Sequence, residues 1–504
     1  MSNTLPIHFR SWFMANMLAA SCLLSCAQSQ PPPLHPFEQG RADLSPIQPP
    51  TPNVDIPVVQ ATENKILSSP SQQSDDHFGA SIAMTLDTIV VGAPNTTGGG
   101  AAWIFDLTDS PAAPIKLIPP YRSTNDACGN SVAISDSGRF IAVGAPGAKV
   151  GDNINTGVVH VWEKKELKWM FVGTFSSENL SENSKLGSSV AIGDDTLLAG
   201  APYAETYIPI EVESITQPGM YSTEYKPVSA HGIVATWIRD SQGHWKENIS
   251  LEPDPFIENA QFGGAMSLKG VQLMVSAASA HSSNLMEAGE CYIFIRRVSG
   301  WVAEPLVKVA QTQFLGIQNI MTGQGPNHHF GWSVHILGTI ALAGAPDDSD
   351  GQMIGSGSIS VYERSDLTWS QVQYISAPDK KSGDAFGSAV GIAGTHFVVG
   401  APLKSNQEQS RAGVVYVYQL IPGSKPSEEE LLCKLLPSLP KSNDRFGAII
   451  TCTPNIIAIS APGTTNPVAT GHIYIFNRTE NLWGVQSPAS NLAPNKAQNS
   501  ENTP

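Results

Sequence analysis

The chain has 504 residues and a formal net charge of −15 at pH 7, and charged residues make up only 14% of it. This acidic balance argues against a nucleic-acid partner, which requires a basic face. Its simplest effect is to keep the folded chain dispersed in water. Gly (44) and Pro (38) are abundant, as expected of short strands joined by many turns.

The first 25 residues have the pattern of an export signal. Arg10 precedes an apolar stretch from Trp12 to Leu24 that is too short to span a bilayer comfortably. The stretch ends in Leu23-Leu24-Ser25-Cys26, which resembles the lipobox of bacterial lipoprotein signal peptides. By that resemblance, residues 1–25 are removed and Cys26 becomes an acylated first residue. Two alternatives stay open: Cys22 as the acylated residue, or a conventional signal peptide with incidental cysteines.

The segments on either side of the central body are polar. Ala27 follows Cys26, and no Asp stands there to suggest inner-membrane retention, so the resemblance predicts a cell-envelope protein anchored by its lipid to the outer membrane. Residues 26–58 are rich in Pro, Gln and Ser and predict an extended tether. Residues 489–504 predict a disordered polar tail. The folded body is therefore predicted to span residues 59–488.

The body carries four cysteines without a Cys-x-x-Cys spacing, so no metal cluster is predicted. Export permits disulfides. Cys433 and Cys452 fall in the last two repeats, and both a disulfide between them and free buried thiols remain open.

The same two-part phrase returns seven times in the body: an aromatic-Gly pair, then an apolar run that ends in Gly-Ala-Pro. The clearest copies are Phe78-Gly79 with Gly92-Ala93-Pro94, Phe330-Gly331 with Gly344-Ala345-Pro346, and Phe386-Gly387 with Gly400-Ala401-Pro402. The looser copies are Cys128-Gly129 with Gly144-Ala145-Pro146, Leu186-Gly187 with Gly200-Ala201-Pro202, Phe262-Gly263 with Ser276-Ala277-Ala278, and Phe446-Gly447 with Ser460-Ala461-Pro462. A long period repeated this often predicts a repeat architecture.

Each repeat predicts four short β-strands. Two flank the turn inside the phrase, a third opens with Gly, as at Gly157, and a fourth begins near a Trp, as at Trp169. Many of the strands are apolar on both faces, which favours sheets packed between neighbouring sheets. The predicted fold is all-β, a seven-bladed β-propeller of four-stranded antiparallel blades. Either Lys65-Ile66-Leu67 or the segment from Trp483 to Val485 completes the last blade.

The phrases resemble FG-GAP repeats, which occur in the integrin α-subunit propeller and in many bacterial surface proteins. The resemblance covers about residues 60–488 and implies a seven-bladed propeller. Many FG-GAP repeats hold calcium in an Asp-x-Asp-x-Asp-Gly loop between the first and second strands, because Ca²⁺ takes six to eight oxygen ligands. Here the corresponding turns, such as Thr85–Thr88, are too short for that loop. No calcium site and no cofactor are predicted.

Two groups of polar residues remain as weak metal candidates. The acidic run Asp347-Asp348-Ser349-Asp350-Gly351 could offer carboxylates to a divalent cation, but its composition favours a solvated acidic turn. His328 and His329 are adjacent, so their side chains diverge and could hardly share one ion. They are predicted to be polar loop residues.

The longest insertion between strands, Tyr203 to His231, is the candidate binding segment, because long loops on rigid scaffolds tend to carry function. Its acidic and aromatic side chains suit a protein or glycan surface, and the alternative is a surface loop without function. The candidate residues are Tyr207, Glu211, Glu213, Tyr221 and Tyr225.

No nucleophile or phosphate-loop motif is present in the sequence. The predicted function is therefore a lipid-anchored, non-catalytic binding or adhesion module for a protein or glycan ligand. One alternative is an exported hydrolase or lyase with an active site at the mouth of the propeller channel. The other is a structural lipoprotein of envelope assembly.

Overall fold

A computed structural model describes residues 59–486, except for 72–74, 109–110, 179, 214–220, 254–256, 282–284, 298–299, 304–319, 323–326, 350–352, 367, 407, 421–430, 464–470 and 480–481. Cys26, the predicted signal peptide, tether and tail, and Asp350 all lie outside these residues. Every regular element in the described part is a β-strand. That part accordingly holds no helix long and apolar enough to cross a membrane.

The strands form seven antiparallel four-stranded blades, as predicted. Blade 1 consists of Ser81–Met84, Thr88–Ala93, Ala101–Asp106 and Ile115–Leu117. Blade 2 consists of Ser131–Ile134, Phe140–Ala145, Val158–Lys165 and Lys168–Phe175. Blade 3 consists of Ser189–Ile192, Thr196–Ala201, Ile233–Arg239 and Trp245–Leu251. Blade 4 consists of Met266–Lys269, Gln272–Ala277, Glu290–Arg297 and Gly300–Ala303, with Ile320–Thr322 also paired to its third strand.

The remaining blades follow the same order. Blade 5 consists of Ser333–Leu337, Ile340–Ala345, Ser358–Ser365 and Thr368–Ile375. Blade 6 consists of Ala389–Ala393, His396–Ala401, Val414–Gln419 and Leu431–Leu435. Blade 7 takes Ile449–Cys452, Ile456–Ala461 and His472–Thr479 from the end of the chain and Lys65–Ser68 from its beginning. In six blades the second strand ends at the Ala before the phrase's Pro, which cannot donate to a sheet.

The antiparallel order divides the connections between two faces. Turns between first and second strands, and between third and fourth, lie on what we call the turn face. The connections from second to third strands, and from each fourth strand to the next blade, lie on the opposite loop face. The turns inside the phrase are two to five residues long, from Gly270–Val271 to Ser135–Arg139. They are the short hairpins that the sequence predicts.

The ring closes through both ends of the described chain. Lys65–Ser68 pairs antiparallel with one half of the third strand of blade 7, and Leu482–Trp483 pairs with the other end of that strand. The two alternatives from the sequence are therefore both realised, each over part of the strand. Val59–Thr62 also adds to blade 6, parallel to its fourth strand, and Val485–Gln486 pairs with Val59–Thr62. The two ends thus join blades 6 and 7.

The aromatic-Gly pair connects each blade to the one before it. Its Gly N–H donates to the carbonyl at the Gly-Ala-Pro glycine position of its own repeat, as from Gly387 to Gly400 at 2.9 Å. In six of the seven pairs the backbone N–H of the first residue donates to the preceding blade, as from Phe386 to Ser356 at 3.0 Å; the exception is Phe78, which donates to the Asp76 carboxylate. One dipeptide therefore satisfies its two donors in two different sheets, which fixes the spacing between blades.

Close backbone approach explains the repeated glycines. A methyl group built on the glycine that opens a third strand would lie 1.8–2.3 Å from the carbonyl oxygen of the next blade's aromatic position. The closest case, Gly471 against Phe78, joins blade 7 to blade 1. The glycines of Gly-Ala-Pro approach the next aromatic-Gly carbonyl equally closely, as Gly344 does against Gly387. In blade 7 a serine, Ser460, occupies the position of that glycine, and its hydroxyl donates a hydrogen bond to the Gly79 carbonyl.

The aromatic side chains of the phrase fill the cores between blades. Phe262, Phe386 and Phe446 are fully buried. Each meets an aromatic ring of its own third strand edge-on; Phe446 and Tyr474, for example, have centroids 5.2 Å apart. Such pairs contribute about 0.5–1.5 kcal/mol beyond their burial. The body's four cysteines are free thiols, so Cys433 and Cys452 form no disulfide here.

We expect Gly357→Ala to destabilise the propeller far more than Gly338→Ala. Both glycines have positive φ, so both substitutions carry the left-handed cost of about 1–2 kcal/mol. Only at Gly357 would the new methyl group also meet the Phe386 carbonyl, at 2.0 Å, whereas nothing lies within 4 Å at Gly338. Urea unfolding should show a loss of about 4 kcal/mol or more for Gly357→Ala. Equal midpoints for the two variants would contradict the proposed role of the close contact.

Candidate functional site

The long insertion of blade 3 is a β-hairpin rather than an irregular loop. Thr206–Glu213 and Tyr221–Val228 pair antiparallel over their full length and hydrogen-bond to no other described strand. The hairpin leaves the loop face after the second strand of blade 3 and returns to its third strand. Val228 is buried at its foot, while the described side chains beyond it are largely exposed. The insertion therefore presents a two-stranded ribbon outside the blades.

The hairpin register brings the candidate tyrosines together. Tyr207 pairs with Pro227, Pro209 with Tyr225 and Glu213 with Tyr221. Because side chains alternate between faces along a strand, Tyr207, Tyr221 and Tyr225 share one face with Glu211. The three tyrosines are 60–68% exposed, and Glu211 is exposed as well. The side chain of Glu213 lies outside the described set.

A cavity of about 510 Å³ fills the half of the central channel that opens on the turn face. The residues six places after each aromatic position line it, together with their neighbours: Met84, Ile134, Ile192, Leu268, Ile336, Ile392 and Cys452. At its mouth the Lys269 ammonium lies 2.6 Å from the Asp136 carboxylate, joining blade 4 to blade 2. Deeper in, burial and the nearby Lys269 charge lower the pKa of His335 to about 4.

This channel supports the catalytic alternative poorly. The wall side chains are mostly aliphatic, and burial raises the pKa of the Cys452 thiol, which keeps it in the unreactive form at neutral pH. The low pKa of His335 keeps its imidazole neutral at the same pH. The charged mouth residues are already engaged with each other.

The acidic run and the histidine pair meet on the loop face. His328 Nδ1 lies 2.8 Å from Asp348 Oδ1, and His329 Nδ1 lies 2.7 Å from Asp347 Oδ2. His329 Nε2 is also 3.3 Å from a carboxylate oxygen of Glu287. The two histidines therefore pair with separate carboxylates. Within the described ranges, no three His, Cys, Asp or Glu side chains are placed to hold one metal ion.

The prediction of a solvated acidic turn is wrong for Asp348. This residue is 4% exposed, and its second oxygen accepts hydrogen bonds from the Ser358 and Tyr374 hydroxyls. The carboxylate is stable there because His328 and two hydroxyls replace its lost hydration. Asp347, by contrast, has a half-exposed side chain, as predicted.

Asp348 and His328 occupy a pair of positions that recurs in the other blades. The pair consists of the residue two before the aromatic-Gly pair and the second residue after Gly-Ala-Pro. In blade 4 both residues are Ala, Ala260 and Ala280, and both are fully buried. In blade 6 the pair is Asp384 and Lys404, which are 4% and 6% exposed. One buried pair of positions thus holds two methyl groups, an acid with a base, or the reverse.

The blade 6 pair belongs to a fully bonded network. Lys404 Nζ lies 2.6 Å from Asp384 Oδ2 and donates to the backbone carbonyl of Asp379 at 2.7 Å. Burial alone would raise the pKa of the Asp379 carboxyl, but hydrogen bonds from Lys434 and Tyr416 hold it below its ordinary value. These charges are neutralised within the scaffold, so they hold loops together rather than await a ligand.

Sequence reasoning overlooked this recurring pair. The signal was available, since aligning the seven phrases places Asp384 with His328 and Lys404 with Asp348. An acid and a base that swap places between two equivalent positions indicate that these positions are in contact. Such a contact indicates a structural role for both His328 and Asp348.

We expect Lys404→Ala to destabilise the protein strongly and a second substitution to reverse much of the loss. Removing the ammonium leaves Asp384 buried without its counter-ion, at a cost of about 3–5 kcal/mol. The double variant Asp384→Ala/Lys404→Ala reproduces the Ala260/Ala280 pair of blade 4 and should recover at least half of that cost in urea unfolding. A double variant less stable than Lys404→Ala would show that the two positions do not act as one pair.

Comparison with known proteins identifies the repeat. A family model described as FG-GAP repeat matches residues 62–105 and 369–418. The first stretch covers the N-terminal strand of blade 7 and three strands of blade 1, and the second covers parts of blades 5 and 6. No curated protein matches the chain.

Solved structures resemble the chain at low sequence identity. A mitotic checkpoint complex chain has 10% identity and a TM-score of 0.47, with 89% of this chain and 99% of that chain covered. Hsv2 of Kluyvelomyces marxianus has 10% identity and a TM-score of 0.42, with 80% and 95% covered. A putative 6-phosphogluconolactonase from Bacteroides uniformis has 11% identity and a TM-score of 0.48, with 80% and 95% covered. At these scores none of the three carries an argument about function.

The family assignment therefore rests on the motif and the blades. An aromatic-Gly or equivalent pair begins each of the seven blades, and the family model matches two stretches of them. The chain therefore contains FG-GAP repeats, matched over residues 62–105 and 369–418, and folds as a seven-bladed β-propeller.

Proposed function

We propose that this propeller is a non-catalytic binding or adhesion module of the cell envelope, held to a membrane by a lipid on Cys26. The hairpin of blade 3 engages its protein or glycan ligand. The observation that carries the proposal is the face of the hairpin on which Tyr207, Tyr221 and Tyr225 are exposed together.

Exposed tyrosines are suited to binding. A Tyr side chain offers a large apolar ring and a hydroxyl at low conformational cost, and it is enriched in recognition surfaces for that reason. In the blades of this protein the tyrosines of the third strands are buried, as Tyr362 and Tyr474 are. The hairpin presents its tyrosines to solvent on two strands that are hydrogen-bonded to each other, which limits the backbone entropy lost when a ligand binds.

The anchor and tether support the same function. A lipid on Cys26 and an extended segment of residues 26–58 would hold the propeller away from the membrane surface. The first described strand, Val59–Thr62, pairs with the fourth strand of blade 6 on one side and with Val485–Gln486 on the other. Blade 6 is three blades away from blade 3, whose insertion forms the hairpin.

We expect the triple variant Tyr207→Ala/Tyr221→Ala/Tyr225→Ala to lose at least tenfold in ligand affinity without a change in unfolding midpoint, since the hairpin lies outside the blades. A photo-reactive residue at position 223 should crosslink a protein ligand on intact cells, and retention on chitin or cellulose should reveal a glycan ligand. Tyr121→Ala is the control, because Tyr121 is 88% exposed in the connection from blade 1 to blade 2, away from the hairpin. Ligand capture that survives the triple variant would exclude the hairpin as the binding site.

Replacing Cys26 by Ser should move the protein from the membrane fraction to the soluble fraction, because a serine hydroxyl cannot form the thioether that carries the acyl chains. Cys22→Ser is the control and should leave the protein in the membrane fraction. Fractionation of cells that express each variant, followed by immunoblotting, measures the outcome. Membrane association of the Cys26→Ser variant would refute the lipid anchor at this residue.

A further inference from the structure

The hairpin's tyrosine face has an unbalanced charge. The insertion from Tyr203 to His231 contains four Glu and a single Lys, Lys226. The register pairs Lys226 with Ile208, so it occupies the face opposite to Tyr207, Tyr221 and Tyr225. Glu211 stands on the tyrosine face and has no ion-pair partner among the described residues. A negative potential therefore lies over exposed aromatic rings without an internal counter-charge.

Elsewhere on the loop face, buried carboxylates have partners within the scaffold itself. Asp384 pairs with Lys404, Asp348 contacts His328, and Asp76 accepts hydrogen bonds from serine hydroxyls and the Phe78 N–H. Glu211 differs from them because it is solvated and available to a partner. A solvated carboxylate does not destabilise the fold, and it can form an ion pair with a partner's cation with little loss of hydration free energy.

A cation–π contact of the kind that such a face would make is present at the foot of the hairpin. The Lys185 ammonium lies 4.5 Å from the centre of the Tyr203 ring, and Tyr203 precedes the first strand of the hairpin by three residues. Cations are attracted to the electron-rich face of an aromatic ring, by about 0.5–1 kcal/mol at an exposed site. Tyr207, Tyr221 and Tyr225 offer three more ring faces of the same kind, each without a described cation over it.

We propose that the ligand of the hairpin is a protein segment that presents lysine or arginine side chains, held by cation–π contacts to Tyr207, Tyr221 and Tyr225 and by an ion pair to Glu211. This inference rests on the proposed binding function and specifies its partner. A basic segment suits the face by charge, and its side chains can reach over successive rings of a ribbon whose same-face positions are two residues apart. An uncharged glycan would use the rings alone and would not require Glu211.

The test uses the full-length protein and two fluorescent peptides of equal length, one alternating Arg and Gly and the other alternating Glu and Gly. Fluorescence anisotropy should show binding of the Arg peptide only, weakening at least tenfold between 50 and 200 mM NaCl. The variant Tyr207→Leu/Tyr225→Leu should raise its Kd about tenfold, because Leu keeps apolar area but lacks the ring. The variant Tyr207→Phe/Tyr225→Phe should stay within about threefold, because Phe keeps the ring face.

Two controls separate this site from general attraction to a chain of net charge −15. Glu211→Gln should weaken the Arg peptide severalfold, whereas Glu166→Gln, an exposed carboxylate on blade 2, should have no effect. Equal losses for these two variants, or unchanged binding by the Leu variant, would overturn the proposal.

The outcome is distinguishable from failure of the binding function itself. If the hairpin crosslinks a ligand or retains a polysaccharide, and the Arg peptide binds no better than the Glu peptide, the module binds but its partner is not cationic. If neither crosslinking, retention nor peptide binding depends on the hairpin tyrosines, both proposals fail.

Discussion

The propeller depends on one dipeptide that serves two sheets at once. In each aromatic-Gly or equivalent pair the Gly N–H donates to its own blade. In six of the seven pairs the backbone N–H of the first residue donates to the blade before, as Leu186 does to Thr156 at 2.8 Å, whereas Phe78 donates to the Asp76 carboxylate. The carbonyl oxygen of the pair's first residue lies so close to the glycine that opens the third strand of the preceding blade that a methyl group there would lie only 1.8–2.3 Å from it. The seven copies close on themselves where Gly471 meets Phe78. Spacing, closure and core packing all follow from this contact.

The sequence predicted those parts of the fold that rest on local, repeated patterns. Blade number, strand order and short turns follow from the phrase, since its glycines and prolines have a backbone role wherever they occur. The shared completion of blade 7 by Lys65–Ser68 and Leu482–Trp483 did not follow, because both segments have strand-like sequences and only packing decides between them. The burial of Asp348 was missed for a related reason: its partners His328 and Tyr374 lie 20 and 26 residues away along the chain.

The recurring loop pair shows why charge alone is a poor guide to function in this protein. Ala260 with Ala280 and Asp384 with Lys404 fill equivalent buried positions. A scaffold that accepts both solutions places charges where loop packing requires them. His–Asp proximity on such a scaffold therefore does not indicate catalysis. The insertion is instead a candidate site on length and composition, because it is long, acidic and rich in tyrosine. That its tyrosines are exposed is known only from the structure.

The position of the hairpin follows from the same constraint that closes the ring. An insertion that displaced a blade would break the contact between its aromatic-Gly pair and the preceding blade. Ala201 and Ile233 are direct partners across the second and third strands of blade 3. A hairpin between them leaves and returns at adjacent backbone positions, so its length and sequence can change without moving either strand. Insertions in this fold can therefore vary in length and sequence where an antiparallel ribbon begins and ends on paired residues. At such places a ligand-specific surface can arise without disturbing the propeller.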